Sequence, residues 1–372
     1  MSELSDSLRI QTMKIADERL QSIWFEADSE EVCIIDQTSL PHELKIISLD
    51  SLEDACQAIA SMQVRGAPLI GVTAAYGVYL AVRNDSGSLD RAIEALRNTR
   101  PTAINLQWAL QRVSEALAGI EAEALAGKAL EMAQLLEKED IAVCEAIGDS
   151  GLPILQALWE SKRDSQERLN ILTHCNAGAL ATVDWGTALS VVYKAHAVGV
   201  PLHVWVDETR PRNQGAALTT WELTAHHIPN TLIVDNAGGH LMQTGKVDIC
   251  IVGSDRTTLG GDVCNKIGTY LKALAAHHNG IPFYAALPVS TIDFSIVSAR
   301  ESIPIEERGA EEVSHIEGIT VGGQIETVRV TPEDVAISNF GFDITPAELV
   351  SGIITERGIF EANEASLGKL LE

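Results

Sequence analysis

Leu169-Asn170-Ile171-Leu172-Thr173-His174-Cys175-Asn176-Ala177-Gly178 is a short aliphatic run that breaks into a polar loop and then into small residues. The run predicts a strand over Leu169–Thr173, and the small residues predict a helix near 177–197. The same figure recurs downstream. Strands are expected at Leu202–Val206, Thr231–Val234, Asp248–Gly253 and Phe283–Ala286, with helical stretches near 216–227, 237–244 and 265–278 between them. Strand and helix alternating over short connections imply a parallel sheet covered on both faces. Ligands of such sheets gather beyond the carboxyl ends of the strands. That rule selects Thr173-His174-Cys175-Asn176, Asp207-Glu208-Thr209-Arg210, Asp235-Asn236 and Ser254-Asp255-Arg256 as candidate site loops.

Upstream the pattern differs. Val32-Cys33-Ile34-Ile35 and Leu44-Lys45-Ile46-Ile47 are strand-like and flank the turn-like Leu40-Pro41. From Ser51 to about Gly148 apolar residues such as Leu130, Leu135, Leu136, Val143 and Ile147 recur at helical spacing. The α/β chain is therefore expected to hold a small antiparallel sheet plus a helical bundle, then the parallel sheet. Gly148-Asp149-Ser150-Gly151-Leu152-Pro153 clusters turn residues. It sets an expected boundary between an N-terminal domain, 1–150, and a catalytic domain, 151–372.

The chain has 372 residues, 27 basic and 52 acidic, for a formal net charge of −25. Such a surface repels a nucleic-acid backbone, so no nucleic-acid partner is expected. A phosphate site must then be built locally from a few cations and backbone amides. The six cysteines form no C-x-x-C pair, which fits a reduced, cytoplasmic protein without a zinc site. The polar start Met1-Ser2-Glu3-Leu4 is unlike a signal peptide, and Ala177–Val200 is interrupted by Asp184, Lys194 and His196, so no membrane partner is expected.

Cys175 at a strand end is read either as a thiol aimed at the free amides of a helix starting near Asn176, which favour the thiolate, or as a small core cysteine. Asp255 follows the next apolar strand. It is read as a general acid or base with a raised pKa, or as a turn cap. Arg65-Gly66-Ala67-Pro68 precedes a small-residue helical pattern, and an arginine and glycine before a helix suit a phosphate. Arg100-Pro101-Thr102 offers a second arginine before a helix. Gly260 to Lys266 reads as a flexible loop that ends in the polar pair Asn265-Lys266 at a helix start. The nucleotide, dinucleotide and serine-hydrolase glycine signatures are absent from the sequence.

The strings Val64-Arg65-Gly66-Ala67-Pro68-Leu69-Ile70-Gly71, Arg100-Pro101-Thr102-Ala103-Ile104-Asn105-Leu106, Thr173 to Gly178, Asp207 to Gly215 and Asp262 to Tyr270 together closely resemble the methylthioribose-1-phosphate isomerase family. The resemblance extends through Pro304-Ile305-Glu306-Glu307-Arg308 and Thr345-Pro346-Ala347-Glu348-Leu349. It implies a Rossmann-like C-terminal domain, a homodimer, no cofactor and no metal. It also implies conversion of 5-methylthioribose 1-phosphate into 5-methylthioribulose 1-phosphate in methionine salvage. By motif matching Arg65, Gly66, Ala67, Arg100, Gln214, Asn265 and Lys266 fall at substrate-binding positions. Asp255 falls at the proton donor and Cys175 at the transition-state stabiliser or proton relay.

The loop Ser254 to Asp262 and the segment Asn339-Phe340-Gly341-Phe342-Asp343 depart from the commoner family pattern while leaving the proposed catalytic groups intact. A rival expectation is an isomerase of ribose 1,5-bisphosphate or of a 5-deoxypentose 1-phosphate. A non-enzymatic rival is a regulatory subunit of the translation initiation exchange factor, which shares the fold.

Overall fold

The computed structural model describes residues 14–15, 18–101, 103–299 and 302–371. β1 (Lys14–Ile15) and β2 (Glu18–Arg19) form a short ladder. β3 (Ile23–Glu26), β4 (Glu31–Ile35) and β5 (Ile46–Leu49) form the expected small antiparallel sheet. Its Ile23, Val32 and Ile34 pack on helices. These are α1 (Leu52–Ala60), α2 (Ala67–Asn84), α3 (Leu89–Thr99), α4 (Ile104–Leu117) and α5 (Ala122–Lys162). α2 is buried along nearly its whole length, and its alanines and glycines let the other helices close around it.

α5 runs unbroken for 41 residues, straight through Gly148–Pro153. The expected turn there is corrected, and tertiary packing is the reason. A Cβ on Gly148 would lie 2.3 Å from Ser190 Oγ, and one on Gly151 would lie 2.5 Å from Val191 Cγ2. Both glycines therefore serve the close approach of a neighbouring helix. That burial outweighs an intrinsic helix cost of about 1 kcal/mol per glycine and about 3 kcal/mol for the proline. The change of core falls inside this helix: Leu136 belongs to the N-terminal core, Ile147 and Leu155 to the next. Among the described residues α5 is also the one helix long and apolar enough to cross a membrane; these three buried residues lie in protein cores.

The second half opens with β6 (Leu169–Thr173), α6 (Ala188–Ala197), β7 (Leu202–Asp207), α7 (Thr220–Ala225), β8 (Asn230–Ile233), α8 (Ala237–Gln243) and β9 (Ile249–Val252). There follow β10 (Arg256–Thr258), β11 (Val263–Lys266), α9 (Thr269–His278), β12 (Phe283–Ala286) and β13 (Ile292–Asp293). α10 (Glu311–Ser314) leads into the hairpin β14 (His315–Ile319) and β15 (Ile325–Arg329). β16 (Phe342–Thr345), β17 (Gly352–Thr355), β18 (Gly358–Phe360) and α11 (Glu364–Leu367) follow, with a 3-10 turn at Gly368–Leu371.

The large sheet has the order β18-β17-β12-β9-β6-β7-β8, and only the edge strand β18 runs antiparallel to its neighbour. Strand residues alternate between two cores. Ile171, Ile249 and Ile251 face α5, α6 and α7, whereas Leu172, Cys250 and Val252 face α8 and α9. That alternation is the two-residue period of a strand buried on both faces.

Two expected elements differ. Asn265 and Lys266 end strand β11, which pairs with β16 in a four-stranded sheet, and do not belong to a flexible loop. The chain after Cys175 forms a short 3-10 turn, Ala179–Ala181, and α6 begins only at Ala188. The cause is the buried carboxylate of Glu222, which accepts from the amides of Ala179 (2.7 Å) and Leu180 (3.1 Å) and holds the segment as a loop.

Candidate active site

β6 lies at the point where the sheet order reverses. The chain proceeds from β6 to β7 and β8 on one side, then crosses to β9 and β12 on the other. Loops leaving β6 and β9 therefore diverge and leave a crevice at their carboxyl ends. Cys175 stands in the first loop and Asp255 in the second. Both line one cavity together with Arg65, Gly66, Ala67, Arg100, Gln214, Asn265 and Lys266. All nine residues proposed from sequence thus meet in one place, at the junction of the α2 bundle and the large sheet. Gly253 permits the convergence, since a Cβ there would lie 2.8 Å from the Cβ of Ala177 in the opposing loop.

Cys175 is 8% exposed and adopts a left-handed backbone, φ 64°. Thr209 Oγ1 accepts from its amide at 2.8 Å, and Thr219 Oγ1 donates to its carbonyl at 2.7 Å. Met62 and Thr209 share the left-handed conformation, so strained backbone concentrates around this cavity. Asp235 fixes Thr209 in turn by accepting from the amides of Thr209 and Arg210 at 2.7 and 2.8 Å. The loops after β7 and β8, selected from sequence as possible sites, hold the Cys175 loop in shape.

The cations are built in from both halves. Arg65 donates to Asn176 Oδ1 at 2.6 Å and to the Asn176 carbonyl at 2.9 Å. Asn176 Nδ2 then donates to Glu222 at 2.9 Å. Gly66, with φ 102°, caps α2, and a Cβ on it would lie 2.2 Å from the Ala181 carbonyl oxygen, so only glycine fits between Arg65 and that turn. The amide end of the 18-residue α2 thereby opens on the cavity. Arg100 pairs with Glu306 at 3.2 Å. Burial works against ionisation of Glu306, yet Arg100 and Arg308 hold its carboxyl below the usual range. Lys266 is 6% exposed and lies over the Phe342 ring at 5.0 Å. Burial lowers its pKa while Cys175 and Asp255 pull the other way.

Asp255 is the buried carboxyl of this arrangement. Burial raises its carboxyl above the ordinary aspartate value, against the pull of Lys266, Arg100 and Arg65. Desolvation therefore outweighs three cations, a shift in the direction that favours the protonated form. Gln214 Oε1 is buried without a hydrogen-bond partner among the described residues, as is Arg100 Nε, which leaves polar capacity for a ligand.

His174, Asn176 and Glu222 matter here without having been given roles from sequence. His174 lines the cavity, its ring nitrogens 2.8 Å from Asp207 Oδ2 and 2.8 Å from the Ile267 carbonyl. His174, Asp207 and Asp235 carry ligand atoms close enough for a metal. However, the Lys272 ammonium sits 3.2 Å from Asp207 Oδ2 and donates to the Asp235 carbonyl, so a cation of the chain already fills that place. The loop filter had picked out His174 and Asn176, but Glu222 lies in α7 and carries no sequence signal.

The profile of the Initiation factor 2 subunit family matches residues 63–362. The chain belongs to this family. It is 56% identical over 360 residues to a methylthioribose-1-phosphate isomerase of Methylorubrum extorquens, covering 96% of this chain and 98% of that relative. It is 53% identical over 360 residues to the isomerase of the same name from Sinorhizobium medicae, covering 96% and 99%. Among solved structures, 5-methylthioribose 1-phosphate isomerase from Pyrococcus horikoshii superposes with TM-score 0.80 at 38% identity over 95% of this chain and 96% of that one. A family structure from A. fulgidus described as the delta subunit of translation initiation factor eIF-2B superposes with TM-score 0.76 at 38% identity, over 95% and 99%.

Proposed function

We propose that this chain is an isomerase that converts 5-methylthioribose 1-phosphate into 5-methylthioribulose 1-phosphate, a reaction of methionine salvage. The observation that carries the reading is the meeting of Cys175 and Asp255 with Arg65, Arg100 and Lys266 in one cavity at the reversal of the sheet. In a chain of net charge −25, three cations beside a helix amino terminus make a local anion site suited to the 1-phosphate.

The anomeric carbon bears phosphate, so the ring must open while that carbon stays phosphorylated. Asp255, whose carboxyl burial raises above the ordinary aspartate value, donates a proton to the ring oxygen as the C1–O bond breaks. Hydrogen then passes from C2 to C1, as a proton through an enediol or as a hydride between the carbons, and the product is an isomer with no atom gained or lost. Cys175 relays the proton on the first route and polarises the reacting centre on the second. Deuterium uptake from solvent during turnover identifies the first. Gln214 and Asn265 supply amide groups for the sugar hydroxyls. Neither route calls on a metal or organic cofactor. The reading carries with it a cytoplasmic homodimer acting on a free metabolite, and the net charge of −25 supports the exclusion of nucleic acid and anionic membranes as partners.

The test is turnover of 5-methylthioribose 1-phosphate by the purified protein and by Asp255→Asn, which is nearly isosteric and removes the transferable proton. Substrate binding is expected to survive while kcat falls by about 10² or more. Near-normal turnover of that variant excludes Asp255 as the acid.

A further inference from the structure

His174 immediately precedes Cys175, and its ring, 1% exposed, is held from both sides. Nδ1 lies 2.8 Å from Asp207 Oδ2, and Nε2 lies 2.8 Å from the Ile267 carbonyl oxygen. A carbonyl oxygen can only accept, so Nε2 donates to Ile267. Asp207 Oδ2 also faces the Lys272 ammonium at 3.2 Å, which makes it an acceptor, so Nδ1 donates as well.

The two bonds differ in what they join. Asp207 ends β7 and does not line the cavity. The Cys175 loop is tied to that strand a second time, since Thr209 Oγ1 accepts from the Cys175 amide at 2.8 Å and donates to the Asp207 carbonyl at 3.0 Å. The Asp207 bond is thus duplicated. Ile267 directly follows Lys266 at the end of β11, which belongs to the four-stranded sheet and does not pair with β6. Among the described residues the Nε2 bond is the one hydrogen bond that joins the Cys175 loop to the Lys266 strand end. The segment that receives it is itself fixed. Asp343 of β16 accepts from the amides of Gly268 at 2.7 Å and Tyr270 at 3.0 Å. Gly268, with φ 102°, lies against the ring, and a Cβ there would stand 3.0 Å from His174 Cε1.

We propose that His174 is a positioning residue of the isomerisation, whose Nε2 bond to Ile267 sets the separation between Cys175 and Lys266. The role rests on the isomerase reading above. The substrate phosphate is bonded through oxygen to C1, and the hydrogen moves between C2 and C1. A cation that binds the phosphate and a thiol that acts at those carbons must therefore stand a fixed distance apart. Lys266 and Cys175 come from different sheets, and His174 is the bridge between them. A misplacement of about 1 Å in such a pair costs about 10²-fold in rate. Arg65 and Arg100 still hold the phosphate when the bridge is lost, so the loss falls on kcat rather than on KM.

His174→Asn and His174→Gln separate the two bonds. The asparagine NH2 stands near the place of Nδ1 and keeps the bond to Asp207, whereas the glutamine NH2 stands near the place of Nε2 and keeps the bond to Ile267. Each variant loses one buried hydrogen bond, so thermal melting is expected to fall by similar amounts in both. Steady-state kinetics on 5-methylthioribose 1-phosphate then tell them apart. His174→Asn is expected to lose about 10–100-fold in kcat with KM within about threefold of wild type, while His174→Gln keeps kcat within about fivefold. A role in stability alone moves the melting and leaves kcat of the folded protein alike in the two variants. Equal kcat in the two, a loss expressed in KM alone, or a larger kcat loss in His174→Gln overturns the proposal; the last result would assign the effect to the Asp207 side of the ring. If His174→Asn does not fold, His174→Gln decides, with kcat within about fivefold supporting the bridge and any larger loss overturning it. A wild-type protein inactive on this substrate refutes the isomerase reading, and this role for His174 with it.

Discussion

Replacing Glu222 by glutamine separates the hydrogen-bond pattern that holds Arg65 from the charge of the carboxylate that anchors it. Glu222 is fully buried and accepts four hydrogen bonds. Oε1 receives Asn176 Nδ2 at 2.9 Å and the Leu180 amide at 3.1 Å; Oε2 receives the Ala179 amide at 2.7 Å and the Tyr193 hydroxyl at 2.8 Å. A glutamine offers one carbonyl oxygen and one NH2 group. With NH2 in the Oε1 place, both Asn176 Nδ2 and the Leu180 amide meet a donor. Turning Asn176 over to repair this would set its NH2 against Arg65 Nη1. With NH2 in the Oε2 place, the Tyr193 hydroxyl rotates to accept and only the Ala179 amide is orphaned. The second orientation wins and preserves the Asn176–Arg65 link. Its cost is one charged hydrogen bond and one buried unpaired amide, about 1–3 kcal/mol, reduced by the relief of a buried charge whose pKa burial already raises. Glu222→Gln is therefore expected to lower the urea midpoint by an amount equivalent to about 1–3 kcal/mol while KM stays within about threefold of wild type. Urea denaturation and steady-state kinetics on one preparation check both parts. A KM raised tenfold at unchanged stability would refute the reasoning, because the charge of Glu222 and not its hydrogen bonds would then be acting on the site.

Other expectations follow from the same geometry. Arg65→Ala removes a cation that pairs with no carboxylate among the described residues, so KM is expected to rise by about 10–100-fold, equivalent to about 1.5–3 kcal/mol, with fluorescence-monitored melting unchanged in shape. Arg100→Ala also raises KM, but part of the rise comes from freeing the Glu306 carboxylate, so adding Glu306→Gln should recover some affinity; no recovery rules out that pairing as a modulator. Asp140 accepts from the Val183 amide at 2.7 Å, and burial, with a contribution from Asp184, pushes its carboxyl up to about 7 from an ordinary 3.8. Between those values the folded chain keeps a proton that the unfolded chain has released, so stability falls as pH rises from about 4 to about 7. Asp140→Asn, which keeps the acceptor and removes the charge, should melt higher than wild type at pH 8 and alike at pH 4; equal melting at both pH values excludes the effect.

Periodicity and loop position made much of this protein legible from the chain alone. The aliphatic runs at 169–173, 202–206 and 283–286 mark strands whose residues, buried on both faces, cannot be mistaken for surface. The carboxyl-end rule then pointed to Cys175 and Asp255, because a parallel sheet has one open end whatever its details. Local signals failed where a distant partner chose the conformation. Gly148 and Gly151 read as a turn until α6 packs on them, and the helix persists because close packing gains more than glycine loses. Asn265-Lys266 read as a loop because nothing nearby shows that β16, some 80 residues later, pairs with it. The amides after Cys175 read as a helix start until Glu222, from α7, takes them. Residue identity thus determined which chemical groups were present and at which end of the sheet they stand. Only the tertiary structure decided which cations face a carboxylate, which carboxyl is raised above its ordinary value, and which distant residues share one cavity, since these depend on burial and through-space distance that sequence order does not encode.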